Sequence, residues 1–463
     1  MGVFSLLVML ALVQHEFLVF AAVFFLVGAV DELAVDGWWI WLKLSGRART
    51  ESIDRRAIET APLTGPAAVF IPAWREAEVI EFTVAHAIAA WPQRDLSIFV
   101  GCYLNDPDTA EAVARGANGD PRVRVVVHGR LGPTTKADCL NSLYAALEEV
   151  ERQTGRETRM IVLHDAEDMV DPAALIVLDR AMDDAEFAQL PVLPEVQKSS
   201  RWIGTHYCDE FAEDHGKTMV VRQALAAAVP SAGVGCAVAR RVLRSMTADG
   251  HGPFSVESLT EDYELGLRIK AAGGRTRFVR VRGEDGRLVA TRAFFPARID
   301  QSVRQKARWV HGIALQGWDR LGWSGGLGEI WMRLRDRRGP LTALVLLAGY
   351  VLLILVFVLW VAEQFGEEQP SRVGSLLWWV LMANFASLAW RVAMRFLFTA
   401  REYGWREGLW AIPRIFVSNI VAIMAGRRAV FAYVRTLRGG KPQWDKTVHE
   451  AHPAAIMVER TTA

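Results

Sequence analysis

Long apolar blocks sit at both ends of this 463-residue chain and enclose a middle of mixed polarity. Val3 to Val30 is almost wholly apolar, broken only by Ser5 and Gln14-His15-Glu16. A bilayer-spanning helix needs ~20 such residues, so this block is long enough to cross. No Lys or Arg precedes Lys43, so the basic start of a cleaved signal peptide is missing. Trp38-Trp39-Ile40-Trp41-Leu42-Lys43 follows as an aromatic belt with a cationic edge. Leu341 to Ala362 and Leu376 to Trp390 are further blocks of spanning character. Hydrophobic residues make up 51% of the chain, yet charged residues still make up 23%, which excludes both a disordered chain and a bare bundle of membrane helices. A net charge of +1 points to no polyanionic partner such as nucleic acid. The four cysteines (Cys102, Cys139, Cys208, Cys236) form no Cys-x-x-Cys pair, so neither a disulfide framework nor a structural zinc is expected, and a reducing cytosol suits the chain.

Charge asymmetry orients the blocks. Lys43, Arg47, Arg49, Arg55 and Arg56 follow the first, and Arg333, Arg335, Arg337 and Arg338 precede the second. Glu363, Glu367 and Glu368, opposed only by Arg372, separate the second from the third. The positive-inside rule therefore places residues 43–340 in the cytoplasm and the Glu-rich loop outside. A fourth apolar stretch, Gly408 to Gly426, contains Pro413 and Arg414 and has basic residues on both flanks. It reads as an interfacial or re-entrant helix, which leaves three spans. The expected organisation is a membrane helix with an interfacial segment (1–44), a cytoplasmic domain (60–300), interfacial helices (301–338), membrane and re-entrant helices (341–426) and a cytoplasmic tail (427–463).

Within 60–300, apolar runs alternate with helical patterns. Ala67–Ile71, Leu96–Tyr103, Val123–Val127 and Met160–Leu163 read as strands. Glu76–Ala90, Ala110–Gly116, Lys136–Glu151 and Pro172–Met182 read as helices. This alternation predicts an α/β fold with a mostly parallel, Rossmann-like sheet, whose ligands sit beyond the C-terminal strand ends. Polar clusters fall there: Trp74-Arg75-Glu76, Asn105-Asp106-Pro107-Asp108 and His164-Asp165-Ala166-Glu167-Asp168.

Three clusters carry chemistry, and each has a plainer explanation. The carboxylates of 165–168 suit a hard divalent cation shared with a diphosphate, or simply cap the following helix as a solvated acidic turn. Leu259-Thr260-Glu261-Asp262-Tyr263 opens a helix. Acidic residues in a first turn answer the helix dipole, with Thr260 as N-cap, but Asp262 also suits a general base beside a hydroxyl. Helical spacing puts Gln305, Arg308 and Trp309 on one face. That face suits a diphosphate and a sugar ring, while Arg304, Lys306 and Arg308 equally suit lipid phosphates at a membrane surface. His206, Cys208, Asp209, Asp214 and His215 have a spacing that matches no common zinc motif.

In this order, these pieces resemble the membrane-embedded family 2 glycosyltransferases, which include cellulose, chitin and hyaluronan synthases. The matching segments are Pro72-Ala73-Trp74-Arg75-Glu76, Asp106, Lys136-Ala137-Asp138-Cys139-Leu140-Asn141, Asp165-Ala166-Glu167, Thr260-Glu261-Asp262 and Gln305 to Trp309. Asp209-Glu210-Phe211-Ala212-Glu213, Pro230 to Gly235 and Trp444-Asp445-Lys446-Thr447 resemble the phage-adsorption protein B type within that family. Two details depart from the usual motifs: Glu167 stands where a second Asp is customary, which leaves Asp168 as a rival ligand, and Trp-Arg-Glu replaces Tyr-Asn-Glu.

The resemblance implies a GT-A-type domain and an inverting, metal-dependent transferase of a bacterial inner membrane, with its catalytic domain in the cytoplasm. It implies a UDP-sugar donor and a growing surface or exo-polysaccharide as acceptor. Pro72, Glu76 and Asp106 would contact the nucleoside, and Lys136 and Arg308 the diphosphate. Asp165 and Glu167 would hold Mg²⁺ or Mn²⁺. Asp262 would be the base, in a catalytic set with Glu261, Gln305, Arg308 and Trp309. Gly233, Val234, Gly235 and Trp309 would receive the acceptor. Three spans are few for a polymer channel, which implies a homo-oligomer or an outer-membrane export partner. The rival expectations are non-processive transfer to a lipid-linked acceptor and a catalytically silent scaffold of an export complex.

Overall fold

The structure, a computed structural model, describes residues 2–247, 252–365, 374–440 and 452–453. Glu367, Glu368 and Arg372 of the Glu-rich loop and Trp444 to Thr447 of the tail lie outside the described residues. Seven strands form one sheet: β1 (Ala67–Pro72), β2 (Leu96–Tyr103), β3 (Val123–His128), β4 (Met160–Leu163), β5 (Phe187–Gln189), β6 (Cys236–Ala239) and β7 (Thr276–Phe278). Their spatial order is β3-β2-β1-β4-β6-β5-β7, parallel except where β6 runs antiparallel to both neighbours. The sequence of β1 is apolar throughout because helices cover both faces. Val69 and Ile71 pack into one core, and Ala68 and Phe70 into a second core across the sheet.

The helices that position the site are α1 (Gly2–Leu44), α2 (Ile80–Ala90), α3 (Pro107–Ala117), α4 (Lys136–Thr154), α5 (His206–Glu213), α6 (Met219–Ala224), α7 (Glu261–Ala271), α8 (Ile299–Trp309), α9 (Leu327–Arg337), α10 (Gly339–Gln364), α11 (Ser375–Tyr403) and α12 (Trp405–Leu437). Four of them, α1, α10, α11 and α12, are long and apolar enough to cross a membrane by length and composition. The apolar stretch 408–426 lies inside one longer helix. Helix α12 continues to Leu437, with Pro413 inside it.

Acidic residues near the end of α1 join it to the α/β domain. Asp36 pairs with Lys217 at 2.6 Å and accepts from Trp390 Nε1 at 2.8 Å. Asp31 and Glu32 pair with Arg335 and Arg338, and Glu32 also with Arg391. Lys217 and Asp36 are each 1% exposed at the side chain. Burying a charge this deeply is tolerated only with partners, so removing any member leaves the others uncompensated.

Candidate active site

A cavity of about 410 Å³ opens at the C-terminal ends of β1 and β4. Sequence-predicted residues from both halves of the domain line it: Pro72, Glu76, Lys136, Asp165, Glu167, Val234, Glu261, Asp262, Gln305, Arg308 and Trp309. Asp106 does not line it. Its carboxylate instead accepts the Arg75 N–H at 2.6 Å, while Thr109 Oγ1 accepts that of Glu76 at 3.0 Å. Arg75 has φ +56°, so Asp106 and Thr109 clamp the turn that aims Glu76.

Lys136 opens α4, behind the Thr135 cap and its reciprocal bond with Asp138. A cation there opposes the helix dipole, so helix stability does not account for it. Burial would lower the Lys136 ammonium, but Asp165, Glu261 and Asp262 outweigh it and hold the group well above its usual range. Lys136 is ion-paired with Asp165.

The acidic turn divides its labour. Asp168 Oδ2 lies 2.9 Å from His164 Nδ1 and accepts the Asp165 N–H at 2.9 Å. Asp168 therefore shapes the turn from within. Glu167 and Asp168 both line the cavity, and burial together with Asp165, Glu76 and Asp168 pushes the Glu167 carboxyl well up. Among the described residues, no three His, Cys, Asp or Glu side chains converge to hold an ion by themselves. Asp165 and Glu167, in the cavity wall and crowded by like charge, fit Mg²⁺ or Mn²⁺, which complete their shells with diphosphate oxygens and water.

Asp262 sits in the first turn of α7. Its Oδ1 accepts the Tyr263 N–H at 2.7 Å. Thr260 occupies the N-cap position without a side-chain capping bond. Gly233 has φ +78°, and a Cβ there would lie 2.4 Å from Asp262 Oδ2. The Gly233-Val234-Gly235 turn thus presses its backbone against the carboxylate. Gln189, which the sequence did not single out, holds this turn from both sides. Its Nε2 donates to Val234 O at 2.8 Å, and its Oε1 accepts the Ala232 N–H at 2.8 Å.

Burial pushes Glu261 up to about 7, with Asp262 adding to it. Burial also raises Asp262, opposed by Lys136, the Tyr263 N–H and Arg308. A base raised this way is protonated, and idle, at mildly acidic pH. We expect kcat to fall as pH is lowered, over a range that lies above that of an ordinary aspartate, because burial raises Asp262. A profile flat down to the ordinary aspartate range would contradict it.

On α8 the basic residues separate. Arg304 stays on the surface with Asp300, at 2.7 Å. Lys306 turns away to Glu210, at 2.6 Å. Arg308 lines the cavity and forms no ion pair among the described residues; its buried Nε has no hydrogen-bond partner among them. Of the three, only Arg304 is left to meet lipid. Trp309 stands in an aromatic wall with Tyr207, Phe211 and Phe295. Three of the residues weighed for zinc are committed elsewhere: Cys208 Sγ to Pro194 O, Asp209 to Arg414, and His215 Nδ1 to the Val192 N–H.

This sheet, with carboxylates, a lysine and an arginine converging beyond its strand ends, is the GT-A fold of nucleotide-sugar transferases. Residues 65–312 match the family described as glycosyltransferase like family 2, and the chain belongs to that family. Bacteriophage adsorption protein B of Escherichia coli strain K12 is 33% identical over 462 residues, covering 93% of this chain and 61% of the relative. Bacteriophage N4 adsorption protein B of Escherichia coli O157:H7 matches with the same figures. The chain thus spans about three fifths of the length of these curated relatives. Among solved structures, a mannosyltransferase from Pyrobaculum calidifontis in complex with GDP-Man and Mn²⁺ superposes with a TM-score of 0.53 at 15% identity, over 89% of this chain and 99% of that one.

Proposed function

We propose that the chain is an inverting, divalent-metal-dependent transferase that moves a sugar from a UDP donor to a growing surface or exo-polysaccharide. The observation that carries this reading is Asp262, set against the Gly233 backbone in the same cavity as Lys136, Asp165 and Arg308. Asp262 takes the proton of an acceptor hydroxyl. The oxygen attacks the anomeric carbon as the bond from that carbon to the diphosphate oxygen breaks, and UDP leaves with its electron pair. One displacement inverts the anomeric centre. Lys136 and Arg308 hold the diphosphate, and Glu76 at the turn after β1 faces the nucleoside side. Asp165 and Glu167 would hold the Mg²⁺ or Mn²⁺, which supplies electrostatic stabilisation of the leaving group. The intact Gln305, Arg308 and Trp309 face and its aromatic wall support repeated addition to a glycan chain.

The membrane reading is three spans with the catalytic domain in the cytoplasm of a bacterial inner membrane. Contacts along α12 support it. Arg414, fully buried, pairs with Asp209 at 2.7 Å and with Glu407 at 2.9 Å. Ala425 and Ala429 pack on Ala307, and Tyr433 Oη donates to Asp319 at 2.6 Å. From Glu407 to Tyr433 the helix runs about 39 Å at ~1.5 Å per residue, touching the domain at Asp209 and the interfacial helices at Ala307 and Asp319. A spanning helix would leave that domain within its first turns. In a chain stripped of native Cys, single cysteines at Glu367 and Thr436 probe this. Impermeant maleimide on spheroplasts should label 367 and spare 436; label at 436 would add a fourth crossing. A second copy or an outer-membrane export partner completes the path for a polymer.

Radiolabelled UDP-sugars offered to purified protein in lipid, with Mg²⁺ or Mn²⁺, test the function directly. Metal-dependent transfer from one of them is expected. Binding of UDP without transfer to any glycan would favour the silent scaffold.

A further inference from the structure

The catalytic cavity has a second polar wall that the transfer step leaves unused. Arg222 on α6 and Asp336 on α9 both line it, 2.5 Å apart. Tyr263, the residue after Asp262, donates its hydroxyl to Asp336 Oδ2 at 2.7 Å. Arg222 is only 4% exposed, and its buried Nε has no hydrogen-bond partner among the described residues. A buried donor without a partner is costly, and a wall of a substrate cavity is where substrate can supply one. The wall also has a direction. Val221, beside Arg222, packs in one cluster with Val35 and Leu42 of α1 and Met332 of α9. Asp336 precedes the start of α10 by three residues. This side of the cavity therefore abuts the roots of two membrane helices.

We propose that Arg222 and Asp336 form an acceptor subsite for an uncharged sugar residue, one or more units from the hydroxyl that Asp262 deprotonates. The inference rests on the transferase reading above. Arg222 and Asp336 neutralise each other, so an anionic sugar would meet Asp336 and a cationic one Arg222. The hydroxyls of a neutral pyranose both donate and accept: they satisfy the Arg222 N–H and bond the carboxylate without a net charge to balance. The acceptor chain then lies from Asp262 toward α1 and α10, the direction in which a growing polymer meets the bilayer.

The plainer role of the pair is to tie α6 to α9, and Arg222→Lys separates the two. Lysine keeps the ion pair with Asp336 and loses the Nε donor. Full-length protein in lipid nanodiscs is given the UDP-sugar that it transfers, with β-linked tetrasaccharides of glucose, N-acetylglucosamine and mannose as acceptor probes. For the probe that wild type extends, the acceptor KM of Arg222→Lys should rise about tenfold or more, the equivalent of a lost hydrogen bond to a charged group. UDP affinity, acceptor-free donor hydrolysis and the thermal midpoint should stay at wild-type values. An unchanged acceptor KM would overturn the subsite, as would wild type that hydrolyses donor yet extends none of the probes. Wild type that binds no UDP would instead remove the transferase reading beneath it.

Discussion

Replacing Asp262 with Asn should lower sugar transfer by at least two orders of magnitude while leaving UDP affinity nearly unchanged. The substitution keeps the size of the side chain and the Oδ1 that accepts the Tyr263 N–H. It removes only the group able to take a proton. A positioned general base contributes roughly 10²–10⁴-fold to rate. The Tyr263 N–H holds Oδ1, and Oδ2 lies 2.4 Å from where a Cβ on Gly233 would stand. The base is thus held in one place and no neighbour substitutes for it easily. Glu261 is adjacent in sequence, but burial pushes it up to about 7, so near neutral pH it is ionised only in part. Transfer rates and UDP titrations on the two proteins provide the test. Near-normal transfer by Asp262→Asn would take this residue out of the mechanism.

The second large effect concerns the acidic turn after β4. Asp165→Ala should abolish divalent-dependent UDP binding, because it removes a metal oxygen ligand and frees the Lys136 ammonium from its ion pair. Glu167→Ala and Asp168→Ala should then part company. Glu167 lines the cavity with its carboxyl raised by burial and its acidic neighbours, the condition that a bound cation relieves. Its loss should weaken Mn²⁺-dependent UDP binding strongly and leave the thermal midpoint close to wild type. Asp168 is bonded to His164 and the Asp165 N–H. Its loss leaves buried polar groups unsatisfied, a cost of roughly 1–3 kcal/mol in stability. Titrating UDP with and without Mn²⁺, alongside thermal melts, distinguishes the three variants. Metal dependence lost in Asp168→Ala but kept in Glu167→Ala would shift the metal assignment by one residue.

Much of this was legible in the sequence, for definite reasons. A strand covered on both faces must be apolar at successive positions, so Ala67 to Ile71 announced a central strand and the parallel sheet around it. Loops after such strands face the same end of the sheet, so Glu76, Asp165 and Glu167 were expected near one another. Helical spacing alone placed Gln305, Arg308 and Trp309 on one face. What spacing could not reveal is which of several neighbouring polar groups turns inward. Asp106 and Asp168 look like ligands in the sequence, yet Asp106 accepts the Arg75 N–H of the neighbouring loop and Asp168 the Asp165 N–H of its own turn. Gln189 carried no signal, because a lone glutamine closing a short strand is ordinary until the turn it clasps is seen.

The sequence by itself determined the layout: apolar blocks outside, an α/β domain between them, and acidic and basic side chains at the strand ends. Those features follow from periodicity and from the cost of exposing apolar surface, both properties of neighbouring residues. The tertiary structure alone decided which charges meet. Arg414 finds Asp209 across 205 positions, Lys217 finds Asp36, and Arg222 finds Asp336 in the wall of the catalytic cavity. Pairing of buried charge depends on contact distance and local desolvation, and neither quantity exists until the chain has folded.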